Sequence, residues 1–455
     1  MTSPSQYIKE NETYLQKAVK VAWPAVVESF FVALVGLIDS FMVSRVGAYA
    51  VAAVGLTTQP KFIGLAVFIA INTSVSALVA RRRGENRRED ANRVLMTAVA
   101  CVLVLTVVVS VLCVVLADPI IHLVGSAEDT HEYAVAYFRI IMGGIGFSVL
   151  SLVINAAQRG SGNTRIAMIT NLASNVVNVI FNYLLIGGNF GFPALGVTGA
   201  AIATVIGTVV ACGMSIASLF RKDSYVSIPY MRQQKLGLCK SSFASILHFA
   251  PNVFVEQIMM RIGFLLTATL AANLGTNAMA AHQLGMNVMS ISFSFGDGLQ
   301  VAAVTLIGQS LGAGEPQKAK HFGTLCQGIG LCFSLILALF YLTMGRWLYQ
   351  LFFPADPEIV EIGVSIMFFM VPIVLCQVSQ VIFTGSLRGA GDVRFTTIAS
   401  TISVTLIRPS VSYLLAYPLG LGITGIWLGV LADQATRLTF AGLRFRSGKW
   451  LTKKI

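Results

Sequence analysis

Residues Arg159 to Arg165 read RGSGNTR and residues Arg388 to Arg394 read RGAGDVR, so one uncommon pattern, RGxGxxR, returns after 229 positions in a chain of 455. The echo extends well beyond these loops. LVARRRGENRREDA (Leu78 to Ala91) aligns with LIGQSLGAGEPQKA (Leu306 to Ala319), and VGAYAVAA (Val46 to Ala53) with LGTNAMAA (Leu274 to Ala281). Pro24 answers Pro251, and LGVTG (Leu195 to Gly199) answers LGITG (Leu421 to Gly425), all at offsets of 226 to 229. Shared hydrophobic composition would not keep glycine and arginine in register over such a length, so the chain is two copies of one unit. Duplication on this scale in an apolar chain is how membrane transporters build two lobes around one site.

Hydrophobic residues make up 55% of the chain and charged ones 11%, with a mean hydropathy of +0.76; soluble domains carry about a quarter charged residues. The composition predicts an all-α membrane protein. A bilayer core needs about 20 apolar residues per helical span, and six such runs fall in each half. The first half has 19–43, 48–80, 93–117, 133–156, 166–187 and 195–220; the second has 243–272, 278–308, 322–345, 360–386, 395–416 and 420–442. Continuous apolar runs without alternation exclude a β-barrel. The expected organisation is an N-terminal six-helix lobe (1–220), an inter-lobe linker (221–242) and a C-terminal six-helix lobe (243–455). An even number of spans per half brings both copies in from the same side, a pseudo-twofold relation about the membrane normal.

The net charge of +12 is unevenly distributed. With the N-terminus inside, and with Lys20, Arg93 and Glu361 at span ends counted with the adjoining loops, 25 of the 32 Lys and Arg fall in tails and inner loops and two (Arg45, Arg346) in outer loops, while outer loops hold seven acids. This positive-inside bias predicts a multi-pass inner-membrane protein with both termini cytoplasmic. The run Arg81, Arg82, Arg83, Arg87, Arg88 then reads as a topological anchor, not a nucleic-acid patch. Residues 1–20 are polar, so no cleavable signal is expected. Six of the seven cysteines lie in spans and Cys239 in the linker, with no metal-site spacing.

Ionisable groups inside spans carry the chemistry, because each costs about 2.5–3.5 kcal/mol at a helix centre. The acids are Glu28, Asp39, Glu256, Asp297 and Asp433; the bases are Lys61, Arg139, Arg261, Arg408 and Arg437. Asp433 and Arg437, four apart, can neutralise each other, and Arg139 lies near a span end. Asp39 has no base at helical spacing and shares a helix stripe with Glu28, eleven residues earlier. In span five, Asn171, Asn175, Asn178 and Asn182 form one amide edge, which needs partners in hydrocarbon. That edge reads either as interhelical glue or as a polar wall facing Asp39. Lys61, beside Pro60, is a candidate cleft residue, and Asp297, between two glycines, a candidate for proton passage.

The duplicated RGxGxxR, the span-one aspartate and NVVNVIFNYLLIGG followed by LGVTGAAIATVIG resemble the multidrug and toxic compound extrusion (MATE) family over essentially the whole chain. The resemblance implies twelve helices in two six-helix bundles with a central cleft. It also implies export of small cationic or amphiphilic substrates coupled to inward H⁺ or Na⁺, by a chain acting alone with no cofactor. Carried over by position, the first-lobe cation pocket comprises Asp39, Asn155, Asn178, Asn182 and Thr204. DinF-like members have a second aspartate where this chain has Asn182. NorM-like members have a span-seven acid, matched by Glu256, and a span-ten aspartate near Gln377. A sodium ion, if used, is expected at Asp39 or Glu256.

Burial penalises the charged form of a carboxyl, so a lone acid in an apolar cleft can exchange a proton for a cation as two packings of the lobes alternate. Alternatives remain open at the level of sequence. A flippase for a lipid-linked pyrophosphate would favour a basic cleft, a channel would need no alternation, and an enzyme would need a catalytic constellation. The five histidines (His122, His131, His248, His282, His321) are scattered, and HExxH, GxSxG and P-loop patterns are absent.

Overall fold

A computed structural model describes residues 4–221, 223–354 and 356–453. All regular elements among the described residues are helical. The first copy contains α1 (Pro4–Ser44), α2 (Ala48–Gly84), α3 (Arg88–Val115), α4 (Ala117–Leu123), α5 (Glu128–Gly143), α6 (Ile145–Gly160), α7 (Thr164–Gly187) and α8 (Gly196–Ser218), followed by the short α9 (Ile228–Gln233). The second contains α10 (Lys240–Ala272), α11 (Thr276–Gly312), α12 (Pro316–Phe352), α13 (Pro357–Gly389), α14 (Val393–Thr401), a π-helical stretch (Ile402–Ile407), α15 (Arg408–Ala416) and α16 (Gly422–Arg446).

Each of the twelve expected spans falls on a helix. Among the described residues, ten helical segments are long and apolar enough to cross a bilayer, and an eleventh forms if α5 and α6, bent by 45° at Gly144, are counted as one. The twelfth position is held by α16, whose Asp433, Arg437, Arg444 and Arg446 lower its apolarity. Side chains that face lipid stay uncovered, as Val104, Val107 and Val111 do along α3; they need no protein partner in hydrocarbon.

The chain divides into two compact units, residues 27–254 and residues 1–26 with 255–455. The divide falls inside α1 and α10, not in the 221–242 stretch where the sequence suggests a boundary. The cause is visible in the second unit, where Ala18, Val21 and Ala22 of α1 are buried in the same core as Ala281, Leu299 and Ala302 of α11. Gly298 of α11 lets that contact close up, since a Cβ there would stand 2.6 Å from the Val26 Cα.

The 221–242 stretch is tied down within the first unit. Arg88 donates through Nε to the Tyr225 carbonyl (2.9 Å) and through Nη2 to the Ser224 carbonyl (2.8 Å), and its guanidinium lies 4.1 Å from the centre of the Tyr230 ring. Asn92 donates to the Tyr225 carbonyl and accepts from the Ser227 N–H. Part of the arginine run thus has a structural task besides its charge; Arg82 and Arg87 pair instead with Glu85 and Asp90.

The repeated RGxGxxR pattern now has a physical reading. Its first glycine permits a close helix crossing, because a Cβ on Gly160 would stand 2.5 Å from the Ser76 carbonyl oxygen and one on Gly389 would stand 2.7 Å from that of Val304. Its second glycine turns the chain at positive φ, +91° at Gly162 and +92° at Gly391, a region that favours glycine.

Candidate functional site

Two helices of the first unit set up the polar groups. On α1, Glu28 and Asp39 are three turns apart; on α7, so are Asn171 and Asn182, since both pairs span eleven residues and a turn takes about 3.6. The two stripes meet in register. Asn171 Nδ2 donates to Glu28 Oε1 at 2.5 Å, and Asn182 Nδ2 donates to Asp39 Oδ1 at 2.6 Å. The α7 amide edge thus makes an interhelical contact at Asn171 and a polar wall on Asp39 at its other end, while the Asn175 Nδ2 between them makes no hydrogen bond within the protein.

Asn178 completes that wall. In the orientation that satisfies both ends of its amide, Nδ2 donates to Asp39 Oδ1 (2.9 Å) and Oδ2 (3.2 Å), while the carbonyl oxygen accepts from the Thr204 N–H (3.2 Å). Thr204, whose hydroxyl donates to the Ala200 carbonyl (2.9 Å), stands behind Asn178. Asn178 and Asn182 are buried and Asp39 is half-buried. Asp39 makes no ion pair at contact distance with any described base. Lys61 and Tyr137 lie within electrostatic reach of the carboxylate; Tyr137 carries no charge pattern in the sequence and could have been found only from its placement on α5.

Other expected residues go elsewhere. Asn155, fully buried on α6, donates to Ser151 Oγ (3.4 Å) and accepts from Ser215 Oγ (3.2 Å), so the structure places it in a separate α6–α8 polar contact and not on Asp39. Glu28 accepts from Arg159 Nη1 at 2.7 Å. In the second unit Glu256 accepts from Arg388 Nη2 at 2.6 Å and is 2% exposed. A guanidinium there puts positive charge where a sodium ion would have to sit, so the residues around Glu256 do not fit Na⁺. Gln377 is buried on α13 and its Oε1 makes no hydrogen bond within the protein. Asp297 accepts from Gln300 at 3.0 Å. Asp433 and Arg437 pair at 2.8 Å, as their spacing predicts.

What the Asp39 arrangement can do follows from its donors. Both amides turn N–H groups toward the carboxylate, which suits an anionic oxygen pair and leaves room for a proton to replace one bond. Among the described residues no group of three or more His, Cys, Asp or Glu gathers as a metal site. A sodium ion at Asp39 would take oxygen ligands, and the Asn178 amide presents its oxygen there in the opposite of its two orientations.

The MatE profile matches residues 24–184 and 253–414, one match in each repeat. The chain belongs to the MatE family. It is thus a membrane transporter and not an enzyme. Relatives include "Probable multidrug resistance protein NorM" of Thermotoga maritima, 29% identical over 96% of this chain and 93% of the relative. "Multidrug resistance protein NorM" of Burkholderia vietnamiensis is 25% identical over 94% of this chain and 92% of the relative. Among solved structures, "Outward-facing conformation of a multidrug resistance MATE family transporter of the MOP superfamily" superposes with a TM-score of 0.89 at 20% identity, covering 96% of this chain and 97% of that one. The MATE fold is therefore established for essentially the whole chain.

Proposed function

We propose that this MATE-family chain is a secondary active multidrug exporter that moves small cationic or amphiphilic drugs outward in exchange for an inward cation, with Asp39 as the exchanging group. The observation that carries this reading is the Asp39 carboxylate itself, held by Asn178 and Asn182 and paired with no described base. Ionised, it attracts a cation; protonated, it is neutral and releases one. In this reading the coupling ion is H⁺, which needs only the carboxylate itself, whereas a hard metal cation needs several oxygen ligands. One cation entering down 100 mV supplies about 2.3 kcal/mol per cycle. Relatives named as multidrug resistance proteins over nearly the full length support the substrate class.

In this reading two lobes alternate access to the membrane faces, the chain works as a monomer in the cell membrane, and the positive-inside bias puts both termini in the cytoplasm. Glu256 is the weaker candidate for coupling, since Arg388 already neutralises it. The test is efflux of a fluorescent cation from everted vesicles under an imposed pH gradient or an imposed Na⁺ gradient. Wild type should respond to the pH gradient and Asp39→Asn should not; equal pumping by Asp39→Asn would overturn the assignment.

A further inference from the structure

The second unit does not repeat the Asp39 site: the position that answers Asp39, at the offset of 228 that relates Glu28 to Glu256, is Thr267, and the helix that answers α7 carries one inserted residue. Two bonds fix the correspondence between copies: Ser174 Oγ donates to the Gly207 carbonyl (2.7 Å) and Ser403 Oγ to the Asp433 carbonyl (2.8 Å). Further along, the Leu195 N–H donates to the Leu185 carbonyl (2.8 Å) and the Leu421 N–H to the Leu415 carbonyl (3.1 Å). Ser174 and Ser403 are 229 apart, whereas Leu185 and Leu415 are 230 apart. The extra residue is taken up by the π-helical stretch Ile402–Ile407, a distortion that often accompanies function. Counting back seven residues from Leu185 gives Asn178; from Leu415 it gives Arg408. The amide that faces a carboxylate in one copy is a guanidinium in the other.

That guanidinium sits in a charge-unbalanced, buried cluster. Asp433 is fully buried and Arg408 and Arg437 nearly so in their side chains, at 0%, 1% and 7% exposure. Both arginines converge on Asp433 Oδ2, Arg437 at 2.8 Å and Arg408 at the longer 3.8 Å. Asp433 Oδ1 lies 2.8 Å from Ser403 Oγ and shares that single hydroxyl proton with the Asp433 carbonyl. Among the described residues neither arginine pairs with a second carboxylate, so the cluster carries one positive charge in excess. Its donors are in excess too: Arg408 Nε and Nη1 and Arg437 Nε make no hydrogen bond within the protein. Arg408 Nη2 reaches the Met286 sulfur at 3.7 Å, and its guanidinium lies over the Phe264 ring, 4.7 Å from the centre. Buried charge is normally balanced and buried donors are normally satisfied.

We propose that this cluster binds a small monovalent anion of the halide class, with Arg408 as its principal ligand and Arg437 as the second. An anion supplies the missing negative charge and accepts from the N–H groups that Asp433 cannot reach. The site is independent of the proposed coupling role of Asp39, since Arg408 answers the neutral Asn178 and Thr267 answers Asp39.

The experiment compares the full-length protein in detergent in sodium chloride and in sodium gluconate at equal ionic strength. Chloride should raise the melting temperature saturably, by about 3 °C or more at a hundredfold excess over Kd, and Arg408→Met should remove that dependence. Identical melting in both salts would overturn the proposal, as would a chloride effect that survives Arg408→Met, which would place the anion among the surface arginines. Should Arg408→Met fail to fold, crystals of wild type grown in bromide decide the matter. An anomalous peak against the Arg408 guanidinium supports the site, and bromide peaks confined to other places reject it.

Discussion

Arg388 donates to Glu256 at 2.6 Å just as Arg159 donates to Glu28 at 2.7 Å, the same bond made once in each copy of the repeat. Each joins the first arginine of an RGxGxxR loop to an acid on the opening helix of its own repeat. The pairing explains why two acids that insertion energetics mark as functional persist inside spans. They neutralise a guanidinium that the loop brings to them, and each lies with its partner in one compact unit.

Breaking one of these pairs leaves the partner charge buried, a loss of about 3–5 kcal/mol. Glu256→Gln should therefore lower the melting temperature of the purified protein more than Glu28→Gln does, because Glu256 is 2% exposed against 9% for Glu28 and has no second described donor. Removing both charges, as in Glu256→Gln with Arg388→Met, should recover part of the loss. A double variant no more stable than the single one would mean that the pair is not the source of the effect.

The first glycine of each RGxGxxR loop should resist even alanine. A Cβ on Gly160 or Gly389 would press on backbone oxygen at 2.5 Å or 2.7 Å, and overpacking of that kind costs about 1–3 kcal/mol. Gly328 on α12 is the control, since a Cβ there meets nothing within 4 Å. Gly328→Ala should leave melting unchanged or raise it, by helix propensity of up to about 1 kcal/mol. Thermal unfolding of the three variants side by side checks the contrast.

Much of this was legible in the sequence, and the limits are instructive. The duplication and the span positions follow from register and apolar run length, whereas the Asp39, Asn178, Asn182 grouping comes from the family resemblance, since the cost of polar groups alone leaves the α7 edge open between interhelical glue and a polar wall. The partners of Glu28 and Glu256 were not legible, because Arg159 and Arg388 are 131 and 132 residues away from them and helical periodicity says nothing about which distant helix a face meets. Asn155, carried over from the family by position, has its amide satisfied by Ser151 at its own helical spacing and by Ser215 on α8, contacts that no sequence pattern announces. The exchange of the first part of α1 into the second unit had no signal in the linker composition at all.

Within the Asp39 group, the geometry ranks the amides. Asn182→Ala removes a 2.6 Å donor from the carboxylate, a charge-assisted bond worth about 1.5–3 kcal/mol, and should slow coupled efflux roughly tenfold or more. Asn155→Ala, whose partners are Ser151 and Ser215, should leave the efflux rate per folded molecule close to wild type. Proteoliposomes loaded with a fluorescent cation and driven by a pH step give both rates, normalised to protein that elutes as a monodisperse peak. Equal losses in the two variants would dissolve the distinction between them.

Cys239 gives a handle on the 221–242 stretch that does not depend on transport. Its Sγ lies 3.0 Å from Ser241 Oγ, and that hydroxyl, followed by the N–H groups of Ser242 and Ser241 at the start of α10, draws the thiol down from 9.0 to about 7. A thiol is reactive as its thiolate, so at pH 7 about half of Cys239 is in the reactive form. Labelling by N-ethylmaleimide should be fast at neutral pH, level off above about pH 8 and fall roughly tenfold per unit well below pH 7. Ser241→Ala removes the largest stabilising contact and should move the midpoint of that profile upward, while Cys239→Ser should abolish the fast phase. A fast phase that persists in Cys239→Ser would assign it to one of the six other cysteines, all of which lie on long helices.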